Sequence, residues 1–237
     1  MGFVRIGIAC CYAPVAQWIE HQSSELRVGG SNPLGCTMKI GILGGSFNPP
    51  HLGHLLISLQ VRDILELDEI WLMPCYQHPF HKTLAPVEHR LAMAKFLANS
   101  HIKVSEYEVT QNKQSYSIDT LSELTRKFPE NIFYWITGSD QLESFKEYKD
   151  WHELISKYNL VIFPREPVLP RIEEKVKQDF KLQRIPENIT VLKSDELILT
   201  NISSTNIRHR IRNGEPISYM VPKKVEEYIR EHHLYEK

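Results

Sequence analysis

The sequence predicts an α/β fold in which a doubly wound parallel sheet carries helices on both faces. From residue 38 onward, short apolar runs alternate with longer segments whose apolar residues recur at helical spacing. The runs are nearly uninterrupted, as in KIGIL (39–43) and NLVIF (159–163), which is typical of strands buried on both sides. Such alternation favours βαβ units, and ligands in these folds bind at the carboxyl ends of the strands.

The predicted strands are short and end at glycine or proline. The first, 39–43, ends at Gly44 and Gly45, EIWLM (69–73) ends at Pro74, and the central NIFYWIT (131–137) ends at Gly138. The remaining strands are expected at 102–104, 159–163, 189–192 and 197–199.

The predicted helices carry recognisable start and stop signals. Ser203 suits the N-cap of a helix over 203–213, Gly214 suits its C′ position, and Pro222 suits the first turn of the last helix, 222–232. Residues 164–188 are Pro-rich and charged, which predicts an exposed helix with loops. The other helices are expected at 55–66, 87–98, 116–127 and 151–156.

The composition of the chain argues against several classes of protein. Of 237 residues, 42% are hydrophobic, enough for a core without disulfides, and 28 Lys and Arg against 29 Asp and Glu give a net charge of −1. That balance argues against a general nucleic-acid coat but permits a basic cleft for a phosphorylated ligand. No apolar run reaches membrane-spanning length, and Cys75 is the one cysteine after residue 37. We therefore expect a cytoplasmic protein without membrane segments.

Residues 1–37 do not resemble part of the domain. A secretory signal peptide is one reading, but Gly7, Tyr12 and Pro14 interrupt the apolar stretch. VAQWIEH (15–21) back-translates to a sequence that resembles the D arm of a tRNA gene, and GSNP (30–33) to one that resembles its T arm. We hypothesise an over-long gene model, an unstructured extension before a natural start at Met38 and a domain over 38–237. Peptides from residues 1–37 in mass spectra of the native protein would contradict this.

The segment GGSFNPPHLGH (44–54) joins the first strand to a helix. Gly44 and Gly45 let backbone amides approach a ligand closely, and the helix N-terminus favours phosphate. His51 and His54, three residues apart, can direct both imidazoles at one spot. A tight turn with two surface histidines is the alternative.

The segment ISSTNIR (202–208) opens a later helix. A capped amphipathic helix explains Ser203 and the isoleucines, but not the hydroxyls of Ser204 and Thr205 beside Arg208. That cluster predicts a second anion site.

Five segments in this order resemble bacterial nicotinate-nucleotide adenylyltransferases of the HxGH nucleotidyltransferase superfamily. The resemblance covers residues 38–237 and implies a Rossmann-like nucleotidyltransferase fold. It rests on GGSFNPPHLGH (44–54), PFHK (79–82), SYSIDTL (115–121), GSD (138–140) and ISSTNIR (202–208).

The resemblance implies adenylyl transfer from ATP to nicotinate mononucleotide in NAD biosynthesis, with Mg²⁺ carried in by ATP and no metal site on the protein. His51, His54 and Arg208 would be catalytic. Asp140 would meet a ribose hydroxyl, cap the next helix, or do both. The other ATP-binding residues implied are Gly44, Gly45, Ser46, Phe47, Lys82, Ser204 and Thr205. His81 lies on the same loop as Lys82, and a solvated loop pair is the alternative for both.

The resemblance also places the mononucleotide. Ser115, Tyr116 and Ser117 match a segment that presents donors to the pyridine carboxylate, and either Tyr148 or Trp151 would stack on the ring. Trp151 and Phe145 as core residues are the alternative. Two other functions stay open: an adenylyltransferase acting on pantetheine phosphate or the amide mononucleotide, and a nucleotide sensor without turnover.

Overall fold

A six-stranded parallel sheet forms the centre of the protein. The computed structural model describes residues 37–77, 83–165 and 172–236, so the segment 1–36, His81 and Lys82 lie outside the described residues. The sheet order is β3-β2-β1-β4-β5-β6, and every pairing is parallel. The strands are β1 (Lys39–Gly45), β2 (Glu69–Pro74), β3 (Ile102–Val104), β4 (Ile132–Gly138), β5 (Asn159–Phe163) and β6 (Ile189–Val191).

Helices cover both faces of this sheet, which confirms the doubly wound α/β prediction. Alternate residues of β2 face opposite sides: Ile70 and Leu72 join one buried cluster, and Trp71 and Met73 join the other. The helices are α1 (Leu52–Leu65), α2 (Val87–Lys95), α3 (Tyr107–Thr110), α4 (Ser117–Lys127), α5 (Trp151–Lys157), α6 (Ile172–Phe180), α7 (Ser204–Arg212) and α8 (Lys223–Glu231).

The strand order reverses between β1 and β4, the central pair of the sheet. The connections that follow these two strands run in opposite directions, and a crevice therefore opens beyond the carboxyl ends of the strands. Gly44 lies at this point, and a Cβ there would stand 2.6 Å from the Trp135 ring of β4. Glycine is therefore required for the two strand ends to pack this closely.

One predicted strand is wrong. Residues 197–199 follow a short 3₁₀ turn, Ser194–Glu196, and join no ladder. The Gln60 side chain of α1 takes the place of a neighbouring strand, because its Oε1 accepts from Ile198 N at 2.6 Å and its Nε2 donates to Ile198 O at 3.1 Å. The backbone is satisfied there without a sheet partner.

The helix predicted within 164–188 is found as α6, and it is less exposed than its charge suggested. Ile172, Val176 and Phe180 lie one turn apart and are buried against the sheet. Among the described residues, no helix is both long and apolar enough to cross a membrane.

Candidate active site

A cleft of about 860 Å³ opens at the carboxyl ends of β1 and β4. It gathers four of the five sequence segments, and the fifth, 79–82, lies outside the described residues. The predicted site residues that line it are Gly44, Gly45, Ser46, Phe47, His51, His54, Ser115, Tyr116, Ser117, Asp140, Tyr148, Ser204, Thr205 and Arg208.

The two histidines are in contact at the start of α1, with their rings tilted by 32°. His51 is the N-cap residue, and its backbone N–H donates to Nδ1 of His54 at 3.1 Å. The ring centroids are 3.7 Å apart, and the Phe47 ring packs on the other side of His54 at 4.8 Å. Phe47 adopts a left-handed φ of 46°, a conformation that is uncommon for a residue other than glycine. The glycine-rich segment, 44–54, thus holds both imidazoles in fixed positions.

Both imidazoles are neutral at pH 7. Burial, reinforced by the nearby positive charge of Arg165, lowers the pKa of His54 to about 3. Burial and the neighbouring His54 and Arg165 lower the pKa of His51 still further. Because Nδ1 of His54 accepts a hydrogen bond, the neutral ring carries its proton on Nε2. His54 is therefore a fixed hydrogen-bond donor rather than a base.

The second segment is tied directly to the first. Arg208 donates to Asn48 O at 2.7 Å and to Thr205 Oγ1 at 3.3 Å. Ser204 donates its hydroxyl proton to Pro49 O at 2.7 Å, so here it positions the glycine-rich segment. Ser203 caps α7 by accepting from Asn206 N, as its place in the sequence predicts.

Asp140 does not cap a helix. It lies inside the 3₁₀ turn Ser139–Gln141, whose N-cap is Gly138, and its carboxylate accepts from Gln141 Nε2 at 3.1 Å. The capping alternative is wrong, and the exposed carboxylate stands on the wall of the cleft.

The 115–117 segment places the start of α4 in the cleft wall. Tyr116 is the N-cap residue, and the N–H groups that follow it in the first turn have no intrahelical acceptor. Ser115 Oγ is buried beside Glu108 and has no hydrogen-bond partner of good geometry among the described residues. This wall presents donors and suits an anion.

The structure separates the two candidate stacking residues. Tyr148 lines the cleft with the Phe145 ring stacked behind it, 4.7 Å away at an interplanar angle of 11°. Trp151 does not line the cleft; it packs on His152 and lies 6.3 Å from the Phe180 ring. Phe145 is fully buried, as its core alternative predicted.

Arg165 also lines the cleft, and sequence reasoning missed it. It lies two residues after the end of β5, its N–H donates to Ser139 Oγ at 3.0 Å, and its guanidinium donates to Ile202 O at 3.2 Å. The rule that cleft residues follow the carboxyl ends of strands could have found it. Lys149, Arg212 and the C-terminal residues 233–235 line the cleft as well.

Arg90, which sequence reasoning also missed, links the loops behind the site by hydrogen bonds. The residue is 1% exposed, and its guanidinium donates to four carbonyls: Ser46, Cys75 and Tyr76 at 2.8 Å, and Ala85 at 3.0 Å. These bonds join the chain after β1 to the chain after β2. Nothing in the helical sequence around Arg90 distinguishes it from a solvated arginine.

The chain is similar in sequence to a known family and to proteins within it. The cytidylyltransferase-like family model matches residues 42–210. A probable nicotinate-nucleotide adenylyltransferase of Oceanobacillus iheyensis is 35% identical over 201 residues, which covers 83% of this chain and 96% of the relative. One from Exiguobacterium sibiricum is 37% identical over 202 residues, with 84% and 99% covered.

The fold agrees with solved structures. The Plasmodium falciparum nicotinic acid mononucleotide adenylyltransferase complexed with NaAD superposes with a TM-score of 0.68 at 20% identity. The match covers 84% of this chain and 97% of that one. From the sequence matches, the chain belongs to the cytidylyltransferase-like family and, within it, to the nicotinate-nucleotide adenylyltransferases.

Proposed function

We propose that the protein transfers the adenylyl group of ATP to nicotinate mononucleotide, giving deamido-NAD and pyrophosphate. The observation that carries this is the cleft itself. One wall offers the neutral histidine pair and Arg208, and the other offers the donor-rich start of α4. A dinucleotide product needs both walls at once.

The proposed step is a direct in-line displacement. A 5′-phosphate oxygen of the mononucleotide attacks the α-phosphorus of ATP, the bond from that phosphorus to the bridging oxygen breaks, and pyrophosphate leaves with the electron pair. The attacking phosphate is ionised near neutral pH and needs no general base. Catalysis then rests on positioning and charge stabilisation, with Mg²⁺ entering as part of the ATP substrate.

Each of these residues is assigned to one part of the ATP molecule. His51 and His54 face the α-phosphate, where the fixed Nε2–H of His54 meets developing negative charge. Arg208 and Thr205 hold the β- and γ-phosphates, and Asp140 accepts from a ribose hydroxyl. Lys82 would approach the phosphates from the loop after β2.

The pyridine end is built from the other wall. The first turn of α4 with Ser115 and Ser117 receives the carboxylate, and Tyr148, supported by Phe145, stacks on the ring. Trp151 contributes through packing.

We also place the protein in the cytoplasm, since the buried Cys75 is free.

Arg208→Ala is expected to raise KM for ATP about tenfold or more, because a lost charge-assisted hydrogen bond costs roughly 1.5–3 kcal/mol. KM for nicotinate mononucleotide should change far less, since Arg208 is placed on the leaving pyrophosphate. Steady-state kinetics with each substrate varied in turn measure both constants. Arg210→Ala is the matched control on the same helix, where Arg210 donates to Pro216 O outside the cleft. Equal effects of Arg208→Ala on both substrates would place the side chain elsewhere.

The acceptor assay tests the function. Pyrophosphate release should require ATP together with nicotinate mononucleotide, and pantetheine phosphate should not replace the mononucleotide. Turnover of pantetheine phosphate alone would reassign the acceptor. If no acceptor supports pyrophosphate release, the remaining interpretation is a nucleotide sensor without turnover.

A further inference from the structure

A buried carboxyl stands at the pyridine end of the cleft, and adenylyl transfer as described above does not use it. Glu108 belongs to α3, is 5% exposed and lines the cleft with Ser115 and Ser117. Its Oε1 accepts a 2.7 Å hydrogen bond from Thr120 Oγ1 on α4. The bond holds the carboxyl against the helix whose start is proposed to receive the substrate carboxylate.

No ion pair neutralises Glu108 among the residues that the structure describes. The titratable groups beside it are Cys75 at the end of β2 and Tyr107 on its own helix, and each has a raised pKa, so each is neutral at pH 7. The Arg90 guanidinium is bound to the Cys75 carbonyl. Burial raises the pKa of Glu108 to about 7, against the opposing effect of the Thr120 and Ser115 hydroxyls.

We propose that Glu108 is a specificity-determining residue that, as the neutral acid, donates a hydrogen bond to the substrate's nicotinate carboxylate and, as the anion, repels it. The inference rests on the proposed function and names the group that selects the substrate. A neutral carboxyl has one O–H donor, whereas a carboxylate only accepts. The anionic form would instead accept from the N–H₂ of a carboxamide.

This arrangement predicts that acid selectivity depends on pH. Binding of the nicotinate group requires Glu108 to be protonated. At a pH above the pKa that Glu108 has in the unliganded protein, substrate binding is therefore accompanied by proton uptake. With a pKa near 7, the protonated fraction of Glu108 falls about tenfold from pH 6 to pH 8. The ratio of kcat/KM for the acid mononucleotide to that for the amide should therefore fall at least tenfold, because the acid loses its donor while the amide gains an acceptor. The ratio cancels titration of ATP and of the phosphate that both mononucleotides share.

Glu108→Gln separates this role from a structural one. Glutamine still accepts from Thr120 and still offers a neutral donor, so the variant should retain acid turnover and lose the pH dependence of the ratio. Glu123→Gln is the matched control, because it removes the same charge from the exposed face of α4. The control should keep the wild-type slope.

Thr120→Val provides a second variant that retains the carboxyl. The Thr120 hydroxyl lowers the pKa of Glu108, so its removal should move the fall in selectivity to higher pH. Calorimetric titration of the free protein with nicotinate mononucleotide at pH 8, in buffers of different ionisation enthalpy, gives a readout without turnover. The wild type should take up about one proton more than Glu108→Gln.

Two results would overturn the proposal: a selectivity ratio that is flat between pH 6 and 8 in the wild type, or an unchanged slope and proton uptake in Glu108→Gln. Absence of pyrophosphate release with either mononucleotide would be a failure of the proposed function instead. In that case the calorimetric difference still decides whether Glu108 is linked to the bound carboxylate.

Discussion

His54→Ala is expected to lower kcat by about 10²-fold, the scale of one lost preorganised donor. The hydrogen bond from His51 N to Nδ1 fixes the neutral tautomer with its proton on Nε2, and the pKa of about 3 keeps the ring uncharged. The donor is therefore in place before charge develops at the α-phosphorus. His51→Ala should have an effect of similar size. Initial rates of pyrophosphate release at saturating substrates measure it.

A helix-capping role for His54 makes a different prediction. His54→Asn keeps an acceptor for His51 N but lacks the Nε2–H, so it should spare the thermal stability more than alanine does while kcat still falls. His89→Ala is the control, since His89 pairs with Tyr228 Oη at 3.0 Å outside the cleft. An unchanged kcat in His54→Ala would assign the residue to capping alone.

The second large effect concerns the choice of mononucleotide. We expect kcat/KM for the acid to exceed that for the amide by roughly 30- to 150-fold near neutral pH, a difference of ~2–3 kcal/mol. The N–H groups at the start of α4 favour an anion and would face the amide's own N–H₂ without an acceptor. The comparison uses both mononucleotides at saturating ATP.

Substitutions in α4 show which donors provide this selectivity. Ser117→Ala should change it little if the backbone N–H groups act, and more if the hydroxyl does. Ser122→Ala, on the exposed side of the same helix, is the matched control. A ratio near one in the wild type would mean an enzyme with dual specificity.

The order of elements and the two segments that meet at the cleft, 44–54 and 202–208, could be predicted from the sequence, because both depend on local patterns. Buried parallel strands produce apolar runs, and a cap such as Ser203 followed by Gly214 marks a helix directly. The four-residue helix α3 was not predicted, since one turn is too short to show a period. The false strand at 197–199 shows that a distant side chain, Gln60, can satisfy a backbone that reads as extended.

The parts of the site that depend on distant contacts could not be predicted in the same way. Arg90 and Glu108 resemble ordinary charged helix residues until the fold buries one among carbonyls and the other beside Thr120. The choice between Tyr148 and Trp151 also needed the fold, because three residues of spacing place them on different surfaces. Local sequence carries no signal of burial produced by remote segments.

The most direct measurement follows the α-phosphorus of ATP. With ATP labelled at that position and nicotinate mononucleotide as acceptor, all transferred label should appear in deamido-NAD, none in pyrophosphate and none on the protein. His54→Ala should slow the transfer without redirecting the label. Label retained on the denatured protein, or absent from the dinucleotide in the wild type, would contradict direct adenylyl transfer in this cleft.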